Sequence, residues 1–377
     1  MKKSILTFNL TTFGCQMNYA DSERIVGVLA DTGLRQATPE RADILIYNLC
    51  SVRQHAIDRV WGMIKNFKCQ ISNIKCLVIT GCILPADKKK FNDKGILVLD
   101  IKKLPEWPKI LLPYLTNKKM DPSAARHQTQ DDIFPGDYLS LKPKYTSKFS
   151  AYVPIMTGCN NFCAYCAVPY TRGREYSRPV EEILNEVDNL VIRGYKEIIL
   201  LGQNVNSYHG KIDDIFKIKN SKLFQNLKLK IQNYNKINFS DLLKIIDFIP
   251  GNYWLSFLTS HPKDISDELI NCFKTCQHLI PYLHLPLQAG SNKILKAMNR
   301  QYTLADYKKF IQKVRRQYWG QLPINISTDI IVGFPSETKK DFLATVKVME
   351  KIKFDMAYLA EYSPRPGTAA FKLKDNI

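Results

Sequence analysis

The sequence is short of acid, short of histidine and without a long apolar run. Against 54 Lys and Arg stand only 35 Asp and Glu, so the formal net charge is +19. A surplus of that size favours a polyanionic partner such as nucleic acid. A Lys- and Asn-rich composition, plain between Lys211 and Lys236, accounts for part of it. No apolar stretch approaches the roughly 20 residues of a membrane span. The start, Met1-Lys-Lys-Ser-Ile-Leu-Thr-Phe8, lacks the apolar core of a secretory signal. Ten cysteines without such a signal argue against a disulfide framework. They point to metal-binding or catalytic thiols in a reducing compartment, so the expected location is the cytoplasm, with no membrane contact. At 377 residues and 45% hydrophobic, the chain can bury the cores of two or three domains.

What stands out among the residues present is Gly158-Cys-Asn-Asn-Phe-Cys-Ala-Tyr-Cys166, a C-x3-C-x2-C run with Tyr165 before the last cysteine. Cys159, Cys163 and Cys166 on one short loop can hold three corners of a cubane iron–sulfur cluster. The fourth iron then stays open to a substrate molecule. Zinc would need a fourth ligand, often from a second C-x2-C knuckle, and none exists. His209, His261 and His284 lie far from the loop in sequence.

Upstream, apolar runs alternate with helical patterns. Strands are expected at Ile5 to Leu10, Asp43 to Asn48 and Cys76 to Thr80, with helices at Asp21 to Ala30 and Val52 to Phe67. This alternation implies a parallel α/β sheet. Cys15, Cys50 and Cys82 each follow a strand beside a turn residue, where such sheets gather ligands. They form a second candidate three-thiolate site, with ordinary buried cysteines as the alternative. Six prolines punctuate the stretch from Asp100 to Ser147, which reads as a connector.

From Ala151 onward six strands alternate with helices. The strands are expected at Ala151 to Thr157, Glu197 to Leu201, Tyr253 to Leu258, Tyr282 to Leu285, Ile324 to Val332 and Phe354 to Glu361. Helices are expected from Pro179 to Gly194, from Asp241 to Phe248 with Ser240 as cap, and after a Ser266 cap. Further helices are expected at Asn292 to Met298, Leu304 to Tyr318 and Thr338 to Ile352. A partial parallel barrel follows, with six motif-like loops on its carboxyl rim. The Lys/Asn/Ile-rich stretch between Tyr208 and Asn238 reads as an inserted surface loop.

These motifs together resemble the radical S-adenosylmethionine (SAM) methylthiotransferases. Beside the three-cysteine loop, the resemblance rests on Gly14-Cys-Gln-Met-Asn18, Asp21-Ser-Glu23, Asn48-Leu-Cys-Ser-Val-Arg53 and Gly81-Cys82. Val168-Pro-Tyr-Thr-Arg-Gly173, Leu201-Gly-Gln-Asn-Val-Asn206, His284-Leu-Pro-Leu-Gln288 and Asp329-Ile-Ile-Val-Gly-Phe-Pro335 extend it along nearly the whole chain. The forms Gly-Cys-Gln-Met-Asn and His-Leu-Pro-Leu-Gln are most similar to the tRNA-acting, MiaB-type branch. The resemblance implies an N-terminal α/β methylthiotransferase domain over residues 1–118 and a linker over 119–147. It implies a partial (β/α)6 radical SAM barrel over 148–377, with the insertion near 209–238.

Functionally, the resemblance implies two 4Fe–4S clusters and SAM. Cys159, Cys163 and Cys166 would hold the radical-generating cluster and be catalytic. Cys15, Cys50 and Cys82 would hold an auxiliary, sulfur-delivering cluster. Gly202, Gln203 and Asn204 would meet the SAM amino group, with Ser260, Gly333 and Glu337 as contacts for ribose and adenine. The implied reaction is methylthiolation of C2 of N6-isopentenyl adenosine next to the anticodon of tRNA. An unactivated aromatic C–H has no usable acidity, so a radical is needed, and the cofactor supplies it. A second SAM would give the methyl group. A flavodoxin or ferredoxin would supply electrons, and a monomer is expected. Alternative substrates are threonylcarbamoyl-adenosine tRNA or a ribosomal protein; a degenerate, non-catalytic iron–sulfur RNA-binding protein is a further alternative. The family ordinarily adds a small RNA-binding β-barrel, and the expectation is that it is absent from a sequence ending at Ile377. Arg172, Arg174 and Arg178 read either as contacts to tRNA phosphate or SAM, or as a solvated basic stretch. His284 and Gln288 are expected to line the cavity, with a structural turn role for Pro286 and its neighbours as the alternative. Cys69, Cys76, Cys272 and Cys276 are expected to be buried structural cysteines.

Overall fold

The computed structural model describes residues 6–51, 54–68, 74–115, 137–211, 236–319 and 322–374. Most of the expected linker and most of the expected insertion lie outside the described residues. The chain divides into two compact units, residues 1–146 with 170–173, and residues 147–169 with 174–377.

Unit 1 is built on a five-stranded parallel sheet. Its strands are β1 (Thr7–Phe13), β2 (Arg35–Gln36), β3 (Ile44–Cys50), β4 (Cys76–Cys82) and β5 (Leu97–Val98). Their order is β2-β1-β3-β4-β5, and all pairs are parallel. Every residue of β3 is buried. Ile44-Leu-Ile-Tyr47 is the continuous apolar run that a strand covered on both faces requires. The helices are α1 (Gln16–Asp31), α2 (Gln54–Lys68), α3 (Pro85–Asp93) and α4 (Trp107–Leu115). Under the sheet, Tyr47, Leu49, Ile57, Val60, Ile64, Ile79, Phe91 and Ile96 form one core cluster. Trp61 stacks on Phe91 with ring centroids 4.6 Å apart.

Helix α1 begins five residues before the expected Asp21, because Cys15 takes the N-cap position. Its early turns bury polar as well as apolar residues, which hid the helix from a periodicity reading. Glu23 and Arg24 bind residues 137–146: Glu23 Oε1 accepts from Thr146 N at 2.9 Å, and Arg24 Nε donates to Leu139 O at 3.2 Å. That portion of the expected linker therefore packs as part of unit 1.

Unit 2 carries six parallel strands in chain order. β6 (Ser150–Pro154), β9 (Glu197–Leu201) and β12 (Trp254–Phe257) pair as one sheet; β13 (Tyr282–His284), β16 (Asn325–Val332) and β17 (Met356–Glu361) pair as another. Leu255 N donates to His278 O at 2.8 Å, and Ile280 N to Leu255 O at 2.9 Å, which joins the two halves. Helices α6 (Val180–Ile192), α7 (Phe239–Asp247), α8 (Asp267–Thr275), α9 (Asn292–Ala297), α10 (Leu304–Arg315) and α11 (Lys339–Ile352) cover them. The stripe Val180, Ile183, Leu184, Val187 and Leu190 of α6 is buried throughout. Each such side chain contributes about 1.5–3 kcal/mol relative to exposure.

Three antiparallel pairs add to the expected strands, the first using the end of the expected strand Ala151 to Thr157. β7 (Met156–Thr157) and β8 (Tyr176–Ser177) pair antiparallel and bracket the cysteine loop, with the short helix α5 (Val168–Thr171) between them. β10 (His209–Lys211) pairs with β11 (Lys236–Asn238) at the base of the insertion. β14 (Tyr318–Trp319) pairs with β15 (Leu322–Pro323), so α10 ends at Arg315 and not at Tyr318. The cap of α7 is Asn238, not Ser240. Asn238 Oδ1 accepts from Asp241 N at 2.9 Å, and Asp241 Oδ2 accepts from Asn238 N at 3.2 Å. This reciprocal pair satisfies two helix-end groups where a lone serine would satisfy one. Ser266 caps α8 as expected, accepting from Leu269 N at 3.1 Å.

Phe257 is 1% exposed and meets Phe239 edge-on at 5.0 Å and Phe273 at 6.0 Å. Phe257→Ala is expected to cost unit 2 about 3–5 kcal/mol of stability. Urea unfolding followed by tryptophan fluorescence checks this; a shift below about 1 kcal/mol would contradict the packing account.

Candidate metal centres

In unit 1 the three cysteines lie on adjacent strand ends. Cys50 and Cys82 are register partners as the last residues of β3 and β4. Phe13 pairs with Leu49, so Cys15 follows two residues later on the same edge. Cys15 is exposed, whereas Cys50 and Cys82 are buried. None of the described cysteines forms a disulfide.

Two asparagines hold this edge together. Asn18 Nδ2 donates to Asn48 Oδ1 at 2.9 Å, and Asn48 Nδ2 returns a bond to Asn18 O at 2.7 Å. Asn48 Nδ2 also reaches Ser22 Oγ at 2.9 Å. Asn18 Oδ1 accepts from Cys15 N at 3.2 Å and from the Cys15 thiol at 3.5 Å. Both asparagines are fully buried, where unpaired amides would be costly. Gly81 has φ +105°, and a Cβ there would overlap Leu49 O and the Asn48 side chain. Only glycine lets β4 approach the asparagine pair. Ser51 N donates to Cys82 O at 2.7 Å, tying the turn after β3 to β4.

Arg172 is neither solvated nor available to phosphate. Its segment packs within unit 1, and the side chain is 3% exposed. Its Nη2 meets Asp21 Oδ2 at 2.7 Å, Nη1 meets Tyr138 Oη at 3.2 Å, and Nε donates to Cys82 Sγ at 3.0 Å. The Cys50 thiol, then burial, pushes the Cys82 thiol well above its ordinary pKa, and Arg172 opposes them. A metal bound there would have to displace that proton, and a guanidinium bonded to the sulfur would assist it.

In unit 2 the second trio sits on the loop leaving β7. Cys166 N donates to Cys163 O at 2.9 Å, closing a turn, and Asn161 N donates to Cys159 Sγ at 3.5 Å. Cys159 and Cys163 are 8% and 9% exposed, so water is largely excluded from their sulfurs. Burial raises the Cys159 thiol, and pushes Cys166 up to about 12. The loop is pinned from outside. Ala164 N donates to Met298 O at 2.9 Å, Asn299 Nδ2 to Phe162 O at 2.9 Å, and Ala370 N to Ala164 O at 2.8 Å. Arg300 Nη1 donates to Cys163 Sγ at 3.3 Å.

The loops after the next strands interlock beside it. Val205 N donates to Thr259 O at 3.0 Å, Asn204 Nδ2 to Asp264 Oδ2 at 2.7 Å, and Asn206 exchanges bonds with the His261 backbone at 2.9 Å each. His261 packs edge-on against Tyr302, which donates to Leu287 O at 2.7 Å and accepts from Arg300 Nε at 3.1 Å. Gly202 follows β9, and a Cβ there would press on the Met156 side chain.

Five buried atoms in these loops have no partner among the described residues: Gln203 Oε1, Asn204 Oδ1, Ser260 Oγ, His261 Nε2 and Gln288 Oε1. Buried polar atoms are almost always bonded, so orphans grouped on three neighbouring loops indicate a polar ligand. His261 is driven down to about 2, by burial and then by Arg300 and Lys263. Its Nδ1 accepts from Lys263 N at 3.2 Å, so the proton sits on the unpaired Nε2, a neutral donor. Thr259, Gln288 and Ser336 hold positive φ of 72°, 71° and 73°. Side chains rarely adopt this backbone, and it concentrates at functional sites.

The other sequence candidates are already engaged. Glu337 Oε2 accepts from Gly333 N at 2.6 Å and closes its own turn; burial raises its carboxyl. His284 bonds Ser327 Oγ at 2.8 Å and Asp329 Oδ2 at 3.3 Å. Arg178 is buried against Glu182 and Glu186, and Arg174 lies 4.6 Å from the Phe162 ring. Arg178 is therefore a structural cation, not a phosphate contact. The sequence assigns no role to Asn18, Asn48, His261 or Arg300; membership of a motif or of a rim loop hints at the first three, and nothing hints at Arg300. Among the described residues no three His, Cys, Asp or Glu side chains converge on a single ion. No described helix is long and apolar enough to cross a membrane.

Comparison with known proteins bears on both units. Residues 153–349 match the radical SAM superfamily, and residues 7–99 match uncharacterized protein family UPF0004. The tRNA-2-methylthio-N(6)-dimethylallyladenosine synthase of Thermoanaerobacter sp. (strain X514) is 41% identical, over 99% of this chain and 74% of its own length. That of Dictyoglomus thermophilum is 42% identical, over 98% and 78%. Among solved structures, the radical SAM methyltransferase TsrM from Kitasatospora setae superposes with a TM-score of 0.59 at 11% identity, covering 97% of this chain and 77% of that one. The cobalamin-dependent radical enzyme OxsB also gives 0.59, at 12% identity, covering 92% and 52%. These two share the fold alone. At 41–42% identity over almost the whole of this chain and about three quarters of the synthases' own length, this chain is a member of the radical SAM tRNA-2-methylthio-N(6)-dimethylallyladenosine synthase family.

Proposed function

We propose that this protein methylthiolates C2 of N6-isopentenyl adenosine next to the anticodon of tRNA. The observation that carries this is 41–42% identity to synthases of that name over almost the whole chain. Cys159, Cys163 and Cys166 would hold the radical cluster, and Cys15, Cys50 and Cys82 an auxiliary cluster that donates sulfur. Once bound, the clusters and SAM supply the hydrogen-abstracting radical, the sulfur and the methyl group.

The chain's own residues bind and orient. Gln203 Oε1 and Asn204 Oδ1 are acceptors without a partner among the described residues, and they suit the SAM amino group. Ser260 Oγ and His261 Nε2–H suit its other polar atoms. Gly333 and Glu337 would act through the shape of their turn, since the Glu337 carboxylate already bonds Gly333 N. The burial of Cys159 and Cys163 keeps water from the reacting region. In unit 1 the Asn18–Asn48 pair fixes the spacing of the three cysteines. A net charge of +19 suits a tRNA partner. We assign the reducing electrons to a flavodoxin or ferredoxin, and infer a monomer acting in the cytoplasm.

Anaerobically reconstituted protein, given isopentenylated tRNA, SAM and a low-potential reductant, is expected to yield the 2-methylthio nucleoside by mass spectrometry of tRNA digests. Unmodified tRNA alongside released 5′-deoxyadenosine would overturn the substrate assignment. Cys159→Ala is expected to abolish 5′-deoxyadenosine formation, whereas Cys82→Ala is expected to spare it and stop sulfur insertion. Asn48→Leu removes partners of Asn18 and Ser22. It should destabilise unit 1 by about 1–3 kcal/mol and lower its iron content; unchanged iron after reconstitution would count against the clamp.

A further inference from the structure

Among the described residues, the buried cation Arg300 of unit 2 meets no carboxylate. Arg300 is 8% exposed. Its Nη1 reaches Cys163 Sγ at 3.3 Å and Tyr165 Oη at 3.5 Å. Its Nε reaches Tyr302 Oη at 3.1 Å, and its Nη2 reaches Pro286 O at 3.1 Å. The Tyr302 ring centroid lies 5.2 Å from its Cζ. Two other buried arginines differ: Arg172 has Asp21, and Arg178 has Glu182 and Glu186.

A guanidinium cannot shed its proton, and burying it without counter-charge is expensive. Phenols and a carbonyl satisfy its hydrogen bonds but leave its charge unbalanced. The remaining partner is the Cys163 sulfur. As a thiolate bound to iron it would carry the missing charge. Three thiolates give a loaded cubane net negative charge, and one-electron reduction adds more.

We propose that Arg300 is the resident counter-ion of the radical cluster, donating to the Cys163 sulfur and biasing the cluster toward its reduced state. The inference rests on the reading of Cys159, Cys163 and Cys166 as ligands. Hydrogen bonds to sulfur and local charge are established levers on cluster potential. The electron comes from an external low-potential one-electron donor; Arg300 stays protonated and exchanges no atoms. Tyr302 holds the guanidinium in place through its bond to Leu287 O. Arg300 is thus a positioning residue acting through the ligand.

The test uses a Cys15→Ala/Cys50→Ala/Cys82→Ala background, so that only the radical cluster contributes. Mediated redox titration followed by electron paramagnetic resonance reads the reduced fraction. Arg300→Gln is expected to lower the reduced-to-oxidised ratio at fixed potential by about tenfold, a shift of about 59 mV for one electron. Arg300→Lys is expected to retain most of the parent ratio. Iron lost from Arg300→Gln and kept in Arg300→Lys also supports the proposal. Iron held by Arg300→Gln at an unchanged potential overturns it, as does equal loss in both variants. A parent protein whose cluster signal does not respond to SAM would instead refute the ligand reading itself.

Discussion

Parallel pairing makes every strand of a sheet end on the same edge, and the chemistry of this chain depends on that constraint. In unit 1 the edge belongs to β1, β3 and β4, neighbours in the sheet though far apart in sequence. Their register puts Cys50 beside Cys82, with Cys15 two residues beyond the β1 position that faces Leu49. In unit 2 the edge belongs to six strands, and the same rule gathers the cysteine loop with the loops carrying Gln203, Ser260 and Gln288. Hydrophobic burial fixes the sheets, and the sheets fix the sites.

What is added at each edge is a polar scaffold that fixes the sulfurs and sets a guanidinium against one of them. Unit 1 uses the Asn18–Asn48 exchange to hold the turns and Arg172 to meet Cys82. Unit 2 uses Met298, Asn299 and Ala370 to hold the loop and Arg300 to meet Cys163. The two arginines differ in their own compensation, since Arg172 has Asp21 and Arg300 meets no acid among the described residues. A buried ion pair costs little beyond its desolvation, whereas an uncompensated cation draws negative charge toward itself. The two edges therefore present different electrostatic environments to the groups they hold.

Much of this was legible in the sequence, for definite reasons. Cysteines beside turn residues after apolar runs place themselves at strand ends, and the six barrel strands follow from alternation with amphipathic helices such as α6. Long-range pairings were not legible. Nothing in Thr171-Arg-Gly-Arg-Glu-Tyr-Ser-Arg178 says that Arg172 buries itself against Asp21, or that Arg178 meets Glu182 and Glu186. Charge in sequence looks the same whether solvated or buried. The start of α1 was missed because its first turns bury Asn18, Asp21 and Ser22, which erases the apolar period. Ser240 looked like a cap because serine often is one, yet Asn238 offered a reciprocal bond with Asp241. The orphaned atoms of Gln203, Ser260 and Gln288 emerge only once the barrel closes around them.

The central claim is that each unit's strand-end edge holds its own cluster. Iron and acid-labile sulfide per chain, with Mössbauer spectra after anaerobic reconstitution, test it most directly. The account predicts that the parent protein holds twice the iron of either triple variant, Cys15→Ala/Cys50→Ala/Cys82→Ala or Cys159→Ala/Cys163→Ala/Cys166→Ala. It also predicts that SAM perturbs the spectrum only where Cys159, Cys163 and Cys166 remain. Equal iron in the parent and in the variant lacking Cys15, Cys50 and Cys82 would contradict it.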